Sequence, residues 1–243
     1  MSFNYSKLPA GYYDKIYYKG SLIQRLWHYL KFYNFKKKIP NNHKVLDIGC
    51  GPGTFSSFFS SKKYFGIDIA ENQIKYAKEK YPKKKFKVIK KKIPYPKNFF
   101  DTIVLIEIIE HLTNKEINNL LKNSNRVLKE NGQILISTPN YNSFWPMLEY
   151  ILNLISSVNY EEQHINKFTK KKLHLFLSKR KYRDIKISTI LLISPFLFFL
   201  PKKCLKIISI LENKLLGFGN LLFCKVKKIK MKTYLNITRI IFL

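Results

Sequence analysis

One stretch constrains this chain more than any other: Val45-Leu46-Asp47-Ile48-Gly49-Cys50-Gly51-Pro52-Gly53-Thr54-Phe55. A short apolar run reaches an acid and then opens into a loop with glycine at every second position. Glycine tolerates positive φ and carries no Cβ, so such a loop lets a ligand approach the main chain closely. Residues 54–61 read as the start of a helix. A second strand-like run, Tyr64-Phe65-Gly66-Ile67-Asp68, ends in another acid. Its distance from Asp47, about 20 residues, is the spacing at which an acid after the second strand meets ribose hydroxyls in nucleotide-binding α/β folds. No lysine–serine or lysine–threonine pair follows the glycines, which argues against a phosphate-cradling P-loop.

The rest of the chain alternates strand and helix around that unit. Apolar runs predict strands at residues 44–48, 64–68, 86–90, 102–106 and 133–137, then 181–189 and 220–227. Helical patterns fall between them, most clearly at 71–81 and 115–129, and later at 144–157 and 169–179. Strands that alternate with helices imply a parallel sheet covered on both faces. The expected fold is therefore α/β, a Rossmann-like seven-stranded and mostly parallel sheet with helices on both faces and an antiparallel last strand. Asn131-Gly132 reads as the turn from helix into the fifth strand. Ahead of the core, residues 21–38 predict an amphipathic helix with Ser21 as N-cap and Leu22, Leu26, Leu30 and Tyr33 at helical spacing. The organisation expected is a lid or helical extension over 1–40, a catalytic domain over 41–228 and a tail over 229–243 with no assignable role.

The landmarks taken together resemble the class I S-adenosylmethionine (SAM)-dependent methyltransferases. The resemblance runs from the acid-x-Gly-x-Gly-x-Gly loop through Gly66-Ile67-Asp68, Ile93-Pro94-Tyr95-Pro96, Phe100-Asp101 and Glu107-Ile108-Ile109-Glu110-His111-Leu112. It continues to Arg126-Val127-Leu128-Lys129 and Ser137-Thr138-Pro139-Asn140. It implies SAM as cofactor. Asp47 would order the loop at the cofactor's amino-acid end, with Gly49, Cys50, Gly51 and Gly53 beside the methionine portion. Asp68 would accept from the ribose hydroxyls, Ile69 would lie on the adenine, and Glu107 would border the cofactor. One departure stands out. Many relatives carry an acid where this chain has Ile89-Lys90-Lys91-Lys92, so the adenine is left to backbone and apolar contacts.

Glu107, Glu110 and His111 stand three and four apart, so on a helix they share one face. Two carboxylates and an imidazole suit a cation such as Mg²⁺, Mn²⁺ or Zn²⁺. The Glu-x-x-Glu-His pattern resembles the metal-binding positions of ubiquinone-biosynthesis O-methyltransferases and of small-RNA 2′-O-methyltransferases. His164 is the candidate fourth ligand, giving Glu107, Glu110, His111 and His164 as a metal set. The metal-free reading has Glu110 at the positive end of a helix, and makes His164 or His111 the general base for a hydroxyl nucleophile. Tyr12, Tyr13 and Asp14 are further candidates for the pocket or for packing of the lid.

Charge bears on partners. Lys and Arg number 45 against 15 acids, a formal net charge of +30. Such a balance suits nucleic acid or an anionic membrane surface, and it equally suits a lysine-, isoleucine- and asparagine-rich composition with no such partner. The apolar run over 190–200 is too short to span a bilayer and is interrupted by Pro195. Cys204, Ile207, Ile208, Leu211 and Leu215 then repeat at helical spacing among Lys202, Lys203, Lys206 and Lys214. That pattern fits either a bilayer interface or a helix packed on the sheet. Three scattered cysteines and a polar start suggest a reducing cytoplasm, with association at a membrane face. The first functional reading is O-methylation of a small-molecule or lipid-like acceptor. The alternatives are metal-assisted ribose methylation of RNA and a non-catalytic binding protein of the same fold.

Overall fold

The computed structural model describes residues 8–60, 62–90, 92–155, 163–180, 182–215 and 217–228. Its centre is a seven-stranded sheet in the order β3-β2-β1-β4-β5-β7-β6. The strands are β1 (Val45–Ile48), β2 (Tyr64–Asp68), β3 (Lys85–Val88), β4 (Phe100–Ile106), β5 (Leu128–Pro139), β6 (Tyr182–Ile190) and β7 (Leu221–Lys228). The first five pair in parallel, and β7 runs antiparallel to both β5 and β6. The expected fold class is thus the observed one.

Two apolar layers sandwich the sheet. On one face Leu46, Ile67, Leu105 and Ile136 pack against Ile117 and Leu121 of α4 (Asn114–Val127) and Leu173 of α6 (Lys170–Ser178). On the other, Val45, Tyr64, Val104 and Phe223 meet α2 (Leu22–Lys37), α3 (Glu71–Lys80) and α7 (Lys202–Leu215), through Leu30 and Phe35, Ile74, and Leu205 respectively. Successive strand residues alternate between these layers, so the near-continuous apolar runs of β1, β2 and β4 are what a two-sided parallel sheet demands.

The expected Ser21 cap holds at the level of individual bonds, in a reciprocal box with Gln24 at the start of α2, and a second such box, Thr113 with Glu116, starts α4. Other expectations are corrected. The segment after the glycine loop is a short 3-10 turn, Thr54–Phe58, rather than an α-helix; the remainder of that expected helix includes Ser61, which lies outside the described residues. Ahead of α2 lies a further helix, α1 (Tyr12–Lys19), started by Gly11 at φ 73°. Asn131-Gly132 lies inside β5: Asn131 adopts φ 65°, and the pairing with β4 slips between Phe100 and Thr102, so the dipeptide makes a bulge. In α2 the buried stripe is turned from the expected one, with Leu26, Leu30 and Phe35 inward and Leu22 outward. Helix α5 (Trp145–Ile155) occupies the expected place, and its predicted end at residue 157, like the tail over 229–243, lies outside the described residues.

Candidate active site

Because β1 is flanked by β2 on one side and β4 on the other, the chain reverses its direction of progress across the sheet between β1 and β4. Ligands of open α/β sheets bind at the carboxyl edge of such a switch point. The glycine loop after β1, Asp68 after β2, the segment 107–111 after β4 and Asn140 after β5 all leave the sheet at that edge.

The loop is tied to its neighbour by Gly49 and Cys50, whose N–H groups both donate to the carbonyl of Ile67 (2.8 and 3.1 Å). All three glycines adopt positive φ, yet they do different things. A Cβ on Gly49 would fall 2.2 Å from the Ile108 side chain, and one on Gly53 would fall 2.8 Å from the Phe86 ring. Those two glycines allow the protein to pack on itself. A Cβ on Gly51 would meet nothing within 4 Å, so Gly51 alone faces open space. Cys50 turns inward, its thiol buried and raised by that burial.

Asp68 accepts from Gly51 N–H through one oxygen (2.8 Å) and from Ala70 N–H through the other (2.9 Å). Burial pushes its carboxyl up against the pull of those amides. Three amides, those of Ala70, Gly51 and Ile69, act on the carboxylate, whose four lone-pair sites leave it acceptor capacity. Beside it Ile69 is 62% exposed. Asp47, one residue short of the end of β1, is buried and receives the Tyr64 hydroxyl. Burial lifts its carboxyl to about 7, with the Tyr64 bond opposing and Asp68 adding to the rise. The fit to SAM is therefore physical: an open main-chain passage at Gly51, a carboxylate beside it with capacity for hydroxyl donors, and a buried acid that a cation would stabilise.

The Glu107–His111 segment corrects the helical expectation. Glu107 takes φ 53°, and only Ile109–His111 forms a 3-10 turn. The three side chains do not share a helix face. Glu107 instead pairs with Lys31, which α2 drives into the site from the far layer and which is 2% exposed. Glu110, His111 and His164 do converge, with ligand atoms within 4.8 Å of one another. His164 arrives because Asn166 N–H donates to the Glu110 carbonyl (2.9 Å) and the Asn166 amide to the Leu112 carbonyl. Glu110 is fully buried, with the Thr138 hydroxyl and its own backbone N–H as its polar neighbours. Burial, then Glu107, raise its carboxyl well above the usual range.

The two imidazoles are both anchored at Nδ1. That of His111 faces the Gln163 carbonyl at 3.0 Å. That of His164 faces Glu149 of α5, whose carboxylate also receives the Tyr141 hydroxyl (2.8 and 3.0 Å). Donation from Nδ1 leaves the lone pair on Nε2, the tautomer suited to a metal ligand or a base. Burial and then His164 lower His111 to about 4, against the pull of the Gln163 carbonyl, so it is neutral at pH 7. Burial tends to raise Glu149, but His164 and Tyr141 outweigh it and hold this carboxyl low. Two oriented imidazoles, His111 and His164, and the buried Glu110 carboxyl form a donor set that fits a divalent cation.

Sequence reasoning missed Glu149, Tyr141 and Lys31, whose roles come from tertiary contacts alone. Asp14, weighed between pocket and packing, is buried and accepts from Thr54 (2.9 Å), Tyr76 (2.8 Å) and Tyr81 (2.5 Å) hydroxyls. It fastens α1 to the end of the glycine loop and to α3.

A methyltransferase-domain family model matches residues 15–187. Among curated proteins, the ubiquinone biosynthesis O-methyltransferase of Pelagibacter ubique is 36% identical over 105 residues, covering 41% of this chain and 43% of that protein. The sphingolipid C9-methyltransferase B of Emericella nidulans is 28% identical over 119 residues, covering 45% and 23%. The chain thus spans about half or less of the length of these relatives. A SAM-dependent methyltransferase structure from Thermotoga maritima, described as a possible histamine N-methyltransferase, superposes with a TM-score of 0.66 at 17% identity, over 89% of this chain and 95% of that one. That likeness concerns the fold.

Proposed function

This chain belongs to the class I SAM-dependent methyltransferase family, and from that premise we propose that it methylates an oxygen of a small-molecule or lipid-like acceptor. The observation that carries the reading is the pairing of two features at one sheet edge. One is the open Gly51 passage beside Asp68; the other is an oriented histidine backed by a carboxylate. The names of the ubiquinone and sphingolipid relatives support the acceptor class.

When bound, SAM would supply the sulfonium methyl group for an in-line displacement by the acceptor oxygen. Asp68 would hold the ribose hydroxyls with the acceptor capacity that Gly51, Ile69 and Ala70 leave available. Asp47 would offset the positive charge at the amino-acid end, and Ile69 would cover the adenine. His164, aimed by Glu149 and Tyr141, would take the acceptor hydroxyl's proton, so that the nucleophile reaches the methyl carbon with its lone pair developed. Lys31 on Glu107 would fix α2 over the site and exclude water. Where a divalent cation is bound instead, Glu110, His111 and His164 would hold it, His164 Nε2 then serving as ligand rather than base, and its chemistry there would be Lewis-acid activation of the acceptor oxygen. Glu107, engaged by Lys31, would stand outside that ligand set.

A second reading, RNA methylation, draws on a lysine-lined groove around β6, with Lys38, Lys170, Lys186 and Lys225. Burial and then Lys227, Lys38 and Lys186 depress Lys225 there. Calorimetry with S-adenosylhomocysteine, compared between the wild type and Asp68→Ala, tests the first step. Saturable binding that falls at least about tenfold in the variant is expected from loss of two charge-assisted hydrogen bonds. Failure of the wild type to bind would end the enzymatic reading. Methyl incorporation from labelled SAM into a lipid extract against total RNA separates the two acceptors.

A further inference from the structure

The carboxyl edge that carries the site also carries exposed apolar side chains on three separate elements. Strands β5 and β6 are both antiparallel to β7, so they run the same way and end at the same edge. From the end of β5 comes α5, which presents Met147, Tyr150, Ile151 and Leu154 outward at helical spacing, Leu154 being 69% exposed. From the end of β6 comes a turn that presents Phe198 and Phe199, the latter 72% exposed. Both meet α2, α5 through Trp145 on Trp27 (5.9 Å between ring centroids) and the turn by direct packing. At the start of α2, Leu22 is exposed as well.

The turn is built to hold this shape. The buried Glu212 carboxylate of α7 accepts from the N–H groups of Leu192, Ile193 and Ser194 (3.2, 3.0 and 3.0 Å) and from the Ser194 hydroxyl (2.6 Å). From the other side, the Asn220 amide donates to the Leu191 carbonyl (2.7 Å). These bonds hold residues 191–194 at the base of a turn whose Phe198 and Phe199 face water, an exposed apolar patch of the kind that marks an interaction surface. Helix α7 packs inward through Leu205, Ser209 and Glu212, as a sheet-covering helix must, and leaves Ile207 and Leu211 outward beside Lys203.

We infer that this edge is a docking surface for an anionic lipid bilayer, with the phenylalanines and the α5 stripe entering the interface and Lys202, Lys203 and Lys206 meeting the headgroups. Charge selects the occupant. A second copy would bring the same lysines and a net charge of +30 against its twin, whereas anionic headgroups neutralise them. Nucleic acid would satisfy the lysines but leave the aliphatic stripe without a partner. No helix among the described residues is long and apolar enough to cross a membrane, so the attachment is peripheral. The inference deepens the proposal of a lipid-like acceptor and, in placing the acceptor's entrance at the bilayer, rests on it.

The test is co-sedimentation of the full chain with phosphatidylcholine vesicles, with and without phosphatidylserine, over a salt series. S-adenosylhomocysteine calorimetry runs in parallel on every variant. The expected result is binding that requires phosphatidylserine and fades with salt. Phe199→Asp with Leu154→Asp, both at exposed positions, lowers partitioning at least about tenfold by removing apolar insertion. Lys202→Ala and Lys203→Ala each lower it about fivefold, the equivalent of about 1 kcal/mol per basic residue. Retained homocysteine-ligand binding in the aspartate pair shows the fold intact. Absence of wild-type vesicle binding overturns the inference. So does vesicle binding unaffected by the aspartate pair, and so does a wild-type dimer that the pair dissolves. Failure of the wild type to bind S-adenosylhomocysteine, with vesicle binding retained, sinks the enzymatic reading and leaves the surface standing.

Discussion

Asp47→Asn probes the charge built into the site. The folded protein holds this carboxyl at about 7, against an ordinary 3.8, chiefly because burial removes water from the anion. A rise of about three pH units corresponds to about 4 kcal/mol of ionisation cost. The sign follows from proton counting. Between about pH 4 and 7 the folded state holds a proton on Asp47 that the unfolded chain has released, so stability falls as pH rises through that window. Above about pH 7 the full cost is present; below about pH 4 it has gone. Asparagine keeps an oxygen for the Tyr64 hydroxyl and never ionises, but its buried NH₂ costs about 1–3 kcal/mol if unpartnered. The variant is therefore expected to be less stable than the wild type at pH 4 and more stable at pH 8, the difference changing by up to about 4 kcal/mol between them. Denaturant unfolding of both ligand-free proteins at matched pH values measures this directly, since titrating groups that do not interact with Asp47 cancel in the difference. A difference that stays flat with pH refutes the reasoning. The same substitution is expected to weaken S-adenosylhomocysteine, because the acid's unfavourable ionisation is what a cationic ligand end relieves.

Five further outcomes follow from contacts in and around the site. Gly51→Ala is expected to cost only the left-handed strain of about 1–2 kcal/mol yet to abolish ligand binding in calorimetry. Gly53→Ala, whose Cβ would strike Phe86 at 2.8 Å and Ala77 at 3.1 Å, is expected to lose clearly more stability by thermal melting, about 2–4 kcal/mol. Lys31→Met strands Glu107 and is expected to cost about 3 kcal/mol in denaturant unfolding, with Lys31→Met/Glu107→Gln recovering most of it. Glu149→Gln is expected to leave the melting curve in place while methyl transfer falls about 10–100-fold and its pH profile shifts, as loss of the group orienting His164 requires; an unchanged pH profile would make Glu149 merely structural. Asp14→Ala orphans three hydroxyls and is expected to lower stability by about 3 kcal/mol, with earlier proteolysis in the segment leading into α1.

The local devices of this protein could be read from short windows of the chain. The Ser21–Gln24 and Thr113–Glu116 boxes, and the glycines that need positive φ, each act within a few residues. The strand–helix alternation repeats over a similarly short span, so the Rossmann-like order followed from it. Boundaries failed where packing overruled local preference. The bulge at Asn131 is one case, since β4 sets the register there. The 3-10 turn after Gly53 is another, where Thr54 is tied to Asp14. The rotated stripe of α2 is a third, because that helix must pack on the 3-10 turn below it and on α7.

At the site the division is sharper. Residue types and spacing, together with the resemblance to class I methyltransferases, singled out Asp47, the glycines, Asp68, Glu107, Glu110, His111 and His164. Which of them act together depends on encounters between residues far apart in the chain: Lys31 with Glu107, His164 with Glu149, Asp14 with Tyr76 and Tyr81. Such pairs have no periodicity and no fixed spacing. Sequence carries what a backbone does over one or two turns, and only the tertiary fold decides which buried charges face each other, because desolvation makes an unpaired charge costly and sets its partner by proximity rather than by order along the chain.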